Sequence, residues 1–167
     1  GIKISLDDFI NNFLNKSAAP TMINNKLVAD SPNNSFIGDP RSYNGYGCYA
    51  PVIIKAMKKA TSNSLNIINT TGTDIEDLIS KYISKNNPVL IWASSEMKDI
   101  TNGTSWYING KDEKFTWKKG EHCLVLVGYD NEKYYFNDPL SNGVRGFNKE
   151  LVQDRFSKLQ KQSIVII

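Results

Sequence analysis

The sequence predicts an α+β fold, an antiparallel sheet or half-barrel with helices packed at one side. Three features carry that expectation. Helix-period stripes of apolar residues come early, short apolar strands dominate the second half, and one helix is inserted among the strands with another near the end. Polar reversals such as Asn109-Gly110 and Asp130 to Glu132 join the strands, and connections this short make neighbours antiparallel.

The 167 residues, 40% hydrophobic and 22% charged, suit one domain over residues 1–167 with a sizeable core. A net charge of +3 comes from scattered lysines and arginines with no block of like charges, so nothing points to nucleic acid. No apolar stretch approaches the roughly 20 residues that span a bilayer. The opening GIKISLDDF has neither the basic nor the apolar block of a signal peptide. Two cysteines are too few for a disulfide framework, and with one histidine they cannot make a four-ligand zinc site without carboxylates. No metal or cofactor is expected.

In chain order, Ser5 followed by Leu6, Asp7 and Asp8 reads as a capping box. Leu6, Phe9, Ile10, Phe13 and Leu14 then mark one face of an opening helix. Residues 15–47 are rich in Asn, Ser, Pro and Gly and lose any period, which predicts a long irregular covering loop. Pro51 suits the first turn of a helix running to about Lys59. Cys48 lies just ahead of that helix, where the dipole and free amides favour a thiolate, so it is a candidate nucleophile. The competing reading is a small apolar residue packed where glycines bring backbone close. Leu65 to Thr70 reads as a short strand. Thr73 and Glu76 form a capping box ahead of the stripe Ile75, Leu78, Ile79, Tyr82 and Ile83. PVLIWA, 88–93, fits a central strand buried on both faces. Trp106 and Trp117 flank a hairpin at Asn109-Gly110, and either cover the sheet edge or line a groove. Asn148 caps a helix through Leu151, Val152, Phe156 and Leu159, and Ser163 to Ile167 closes the chain as a buried strand.

The stretch with chemistry is GEHCLVLVGYDNEKYYFNDP, 120–139. His122, Leu124 and Leu126 share one face of a strand, and Cys123, Val125 and Val127 share the other. If the following loop holds three residues, Tyr129 pairs with Lys133, His122 lies opposite Leu140, and Asp138 sits diagonally from the imidazole on the same face. A two-residue loop turns Asp138 to the far side. In the first register the carboxylate can fix the tautomer of a histidine base. A satisfied core histidine is the alternative.

Five motifs, FIGDP, GYGCYAPVI, PVLIWAS, GEHCLVLVGYD and YYFNDPLSNG, occur in that order from Phe36 onward. In them the chain resembles the peptidase C39-like family of bacterial papain-like proteins. The resemblance implies a papain-like cysteine peptidase fold, an antiparallel sheet packed against helices, and action on a peptide or protein substrate. His122 is then general base and acid, and Asp138 its orienter. The family's nucleophilic cysteine and oxyanion-hole glutamine lie in a Gly-Cys-Glu-like segment ahead of the part matched here. The expectation is therefore an N-terminally truncated domain whose nucleophile comes from upstream.

Cys48 aligns with the GYG turn rather than with the family's nucleophile, and Cys123 alternates away from His122. Two rivals stand beside the peptidase: a noncatalytic peptide-binding or scaffolding module, and a rearranged dyad of Cys48 with His122. The resemblance also implies a secreted or surface protein of a Gram-positive bacterium. Substrate identity and oligomeric state have no signal in the sequence.

Overall fold

The computed structural model describes residues 3–167. Its helices are α1 (Leu6–Asp8), α2 (Ala50–Ala60), α3 (Ile75–Lys81) and α4 (Lys149–Lys158). Its strands are β1 (Lys16–Ser17), β2 (Thr21–Ile23), β3 (Lys26–Ala29), β4 (Phe36–Ile37), β5 (Ile67–Asn69), β6 (Val89–Ser94), β7 (Thr101–Ile108), β8 (Lys114–Lys119), β9 (Glu121–Tyr129), β10 (Lys133–Asn137), β11 (Val144–Asn148) and β12 (Ser163–Ile166). The contacts divide the chain into two compact units, Gly1–Leu65 with Asn102–Trp117, and Asn66–Thr101 with Lys118–Ile167.

In the first unit, Ser5 caps α1 by accepting the Asp8 N–H at 3.0 Å. The helix then widens into a π-turn over Phe9–Phe13, closed by the Leu14 N–H on the Phe9 carbonyl. The wider turn rotates the apolar face away from Leu6, which is 75% exposed. Ile10 and Leu14 keep to the face and pack with Val52 and Ala56 of α2, so α2 supplies the cover that the opening stripe needs.

Residues 15–47 are not irregular throughout. β2 and β3 form a two-residue hairpin in which Asn24 and Asn25 adopt left-handed φ of 47° and 61°. Such a turn matches strand twist, and asparagine tolerates it because its side chain bonds locally. Strands of three and four residues are too short to show alternation, which is why the sequence reads as loop. β1 lies parallel to β4. The following loop is pinned where the Ile37 N–H donates to the Gly47 carbonyl and the Tyr46 N–H to the Ile37 carbonyl. A Cβ on Gly45 would stand 2.4 Å from the Asp39 carbonyl oxygen, so only glycine closes it. The sheet of this unit runs β2-β3-β7-β8, with β3 and β7 parallel. Trp106 and Trp117 are buried among Tyr46, Tyr49 and Phe115 and serve as core, and the Trp106 indole N–H donates to the Asp30 carbonyl at 3.0 Å.

The second unit is a six-stranded sheet in the order β11-β10-β9-β6-β12-β5, every neighbouring pair antiparallel. β6 is interior, as its continuous apolar run predicts. Ile75, Leu78 and Ile79 of α3 and Val152 and Phe156 of α4 share one core with Ile91, Leu124, Leu126 and Phe136 of the sheet. Each such side chain contributes about 1.5–3 kcal/mol by burial. The Thr73–Glu76 capping box does not form. Asp74 takes the cap position without a side-chain bond to the helix, because Lys161 holds its carboxylate at 2.5 Å. Glu76 accepts instead from the Tyr134 hydroxyl and from Gln153. Asn148 caps α4 as expected, accepting the Glu150 and Leu151 N–H groups.

The β9–β10 loop holds four residues rather than three, since Tyr129 pairs with Tyr134. Continued unbroken, that register would set Asp138 opposite Val125, on the side away from the imidazole. A β-bulge intervenes: Tyr135 pairs with Gly128, Phe136 with Leu126, and Val127 is the extra residue. Beyond it the alignment is the one a three-residue loop would have given. The bulge therefore restores Asp138 to the face of His122.

Candidate active site

His122 is the second residue of β9, held opposite Ala93 of β6. Its Nε2 lies 2.7 Å from Oδ1 of Asp138, just past the end of β10. The same oxygen accepts the Leu140 N–H at 2.9 Å, and the Asp138 carbonyl accepts the Ser141 N–H at 3.0 Å. This turn at the NDPLS sequence fixes the carboxylate before the histidine reaches it. The Asp138 side chain is 2% exposed and that of His122 13%, so the carboxylate is sealed while an edge of the ring stays open.

Burial works against charge on Asp138, but the hydrogen bonds from His122 and from the Leu140 N–H, with Arg145 in Coulombic range, hold the carboxyl below its ordinary 3.8. An ionised carboxylate only accepts, so Nε2 carries the proton between the two groups, and in the neutral ring Nδ1 is the nitrogen with the lone pair. The arrangement is a histidine locked in one tautomer, with its basic nitrogen turned from the carboxylate.

Cys48 stands two residues ahead of α2, with Tyr49 at the cap position. It is buried with Ile10, Leu14, Val52 and Ala56 in the first unit's core, the packing that the bland reading of this residue describes. Cys123 pairs with Trp92 across β6 and β9, and strand alternation carries its side chain to the face opposite His122. No disulfide joins the two. Among the described residues, no group of three or more His, Cys, Asp or Glu side chains could hold a metal ion.

A family model, described as the Peptidase C39 like family, matches residues 7–164. The chain belongs to that family. The uncharacterized protein YvpB of Bacillus subtilis (strain 168) is 23% identical over 156 residues, 93% of this chain and 60% of YvpB. The chain thus spans about 60% of the length of the curated relative it matches. A crystal structure of a Bacillus anthracis protein assigned as a C39-like peptidase superposes with a TM-score of 0.82 at 24% identity, covering 100% of this chain and 81% of the other. The C39-like fold is shared, α+β with antiparallel sheets packed against helices.

Three residues around the His122–Asp138 pair escape sequence reasoning. Glu121 precedes His122, is half-buried, and among the described residues has no hydrogen-bond or ion-pair partner; burial pushes its carboxyl up to about 8. A charge at the head of an apolar strand was the signal for it. Arg145 and Glu96 pair at 2.9 Å. They lie 49 positions apart and carried no signal.

Proposed function

We propose that this chain supplies the base half of a cysteine peptidase acting on peptide bonds. His122 is the general base and acid, Asp138 orients it, and the nucleophilic cysteine comes from sequence preceding these residues. The supporting observation is the 2.7 Å contact between Nε2 and Oδ1, which in the neutral ring makes Nδ1 the basic nitrogen. Nδ1 takes the thiol proton, and the thiolate attacks the substrate carbonyl carbon to give a tetrahedral oxyanion. As that collapses, the C–N bond breaks and the imidazolium returns the proton to the leaving amine. Water, deprotonated by the same nitrogen, then cleaves the thioester. Asp138 stabilises the imidazolium in both halves without itself becoming protonated.

A noncatalytic peptide-binding module is the second reading, favoured by the placement of Cys123 away from His122 and of Cys48 in a core. Incubating the complete protein with a peptide library and mapping new termini by mass spectrometry separates the two. The peptidase reading expects cleavage that His122→Ala lowers by about 100-fold or more. Saturable peptide binding with no cleavage would replace it by the second. No helix among the described residues is long and apolar enough to cross a membrane. The reading places the protein outside the cell or at its surface; recovery in the cytosolic fraction would contradict that part.

A further inference from the structure

We propose that Arg145 is a positioning residue for the His122–Asp138 pair, tying the strained turn after β6 to the sheet face that carries the pair. The inference rests on the reading of His122 as the base. Register places Arg145: it pairs with Phe136, which pairs with Leu126, so it shares the face of Leu126, His122 and Asp138. Its guanidinium lies over the Phe147 ring, 5.1 Å from the centroid, and donates through Nη1 to Oε1 of Glu96 at 2.9 Å.

Glu96 is an unusual partner. It and Met97 are consecutive non-glycine residues in left-handed conformation, with φ of 54° and 52°. A side chain disfavours that conformation, so the turn persists only where other contacts over-determine it. Several do. The Ser95 N–H donates to the Gly120 carbonyl two residues before His122, Met97 is buried in the core, and Arg155 donates to the Met97 and Lys98 carbonyls. Arg145 adds the tie from β11. A strained turn fixed at the end of β6, where Ala93 and Ser94 pair with His122 and Glu121, points to a shape held for the site rather than for the fold.

Asp138 is held by hydrogen bonds from His122 on β9 and the Leu140 N–H, and the fixed charges facing it are Arg145 on β11 and Glu96 in the turn. One guanidinium thus acts on two carboxylates from separate elements. Its charge adds to the hydrogen bonds that favour ionised Asp138, and its bond to Glu96 ties the turn that the Ser95 N–H anchors on Gly120.

The test is nuclear magnetic resonance of the complete protein, labelled with ¹⁵N-histidine and ¹³C-aspartate, with signals assigned by their loss in His122→Gln and Asp138→Asn. In the unaltered protein His122 should show one protonated and one lone-pair nitrogen. In Arg145→Gln the two nitrogens should move toward averaging, and Asp138 should bind a proton about tenfold more tightly. Glu96→Gln, an exposed change that leaves the sheet intact, should shift Asp138 the opposite way and serves if Arg145→Gln fails to fold. Unchanged His122 and Asp138 signals in either folded variant, with only a lowered melting temperature, would overturn the proposal. Loss of peptide cleavage plays no part in this readout, so failure of the peptidase reading and failure of the Arg145 role are separable.

Discussion

The carboxyls of Asp138 and Glu121 depart from their ordinary values in opposite directions. Asp138 is held below its ordinary value, so its stabilisation is present above about pH 3.8 and is lost as pH falls through its folded value. Asp138→Asn should cost about 1–3 kcal/mol at pH 7 and progressively less as pH falls below about 3.8, as read by urea unfolding across that range. Glu121 is pushed from 4.5 to about 8 by burial, so between those values the folded chain holds a proton that the unfolded chain releases. Stability should therefore fall as pH rises from about 4.5 to about 8, and Glu121→Gln should flatten that slope. Partial exposure trims the effect to roughly 1–2 kcal/mol, read by urea unfolding at pH 5 and pH 8. His122 and Asp138 were legible as residues of one hairpin, but the contact between them depends on the bulge at Val127 and not on the loop length alone. Arg145 was not legible, because its role depends on a left-handed turn that no residue type at 95–98 announces.

One irregularity in each unit decides how its strands pair. The bulge at Val127 left no mark in the sequence, since an extra apolar residue in an apolar strand looks like any other. Deleting Val127 should regularise the ladder, keep Phe136 opposite Leu126 and leave Asp138 on the face of His122, so the His122 nitrogen resonances should persist; their averaging would show that the pairing beyond the bulge is not what sets the contact. The Asn24-Asn25 hairpin did carry a signal, a pair of residues that tolerate positive φ between apolar runs, but strands so short hid it. Asn25→Gly should stabilise the protein by about 0.5 kcal/mol, and Asn25→Val should destabilise it by about 1–2 kcal/mol, both read as shifts in urea midpoint.

At the scale of the molecule, the order of elements and the central place of β6 follow from local patterns, and the antiparallel six-stranded sheet follows from short reversals. The parallel pairing of β3 with β7 joins Val28 to Tyr107 and has no local signature, so of the first unit's sheet only the β7–β8 hairpin at Asn109-Gly110 was legible. The fold and family are those of C39-like proteins. The central claim is that this fold presents a base to a cysteine outside these 167 residues. It is tested most directly by reacting the complete protein with iodoacetamide near pH 7 and mapping the modified thiols by mass spectrometry. The account predicts one fast-reacting cysteine outside residues 1–167, slowed on the order of 100-fold by His122→Ala. Fastest labelling at Cys48 or Cys123, or labelling indifferent to His122, would contradict it.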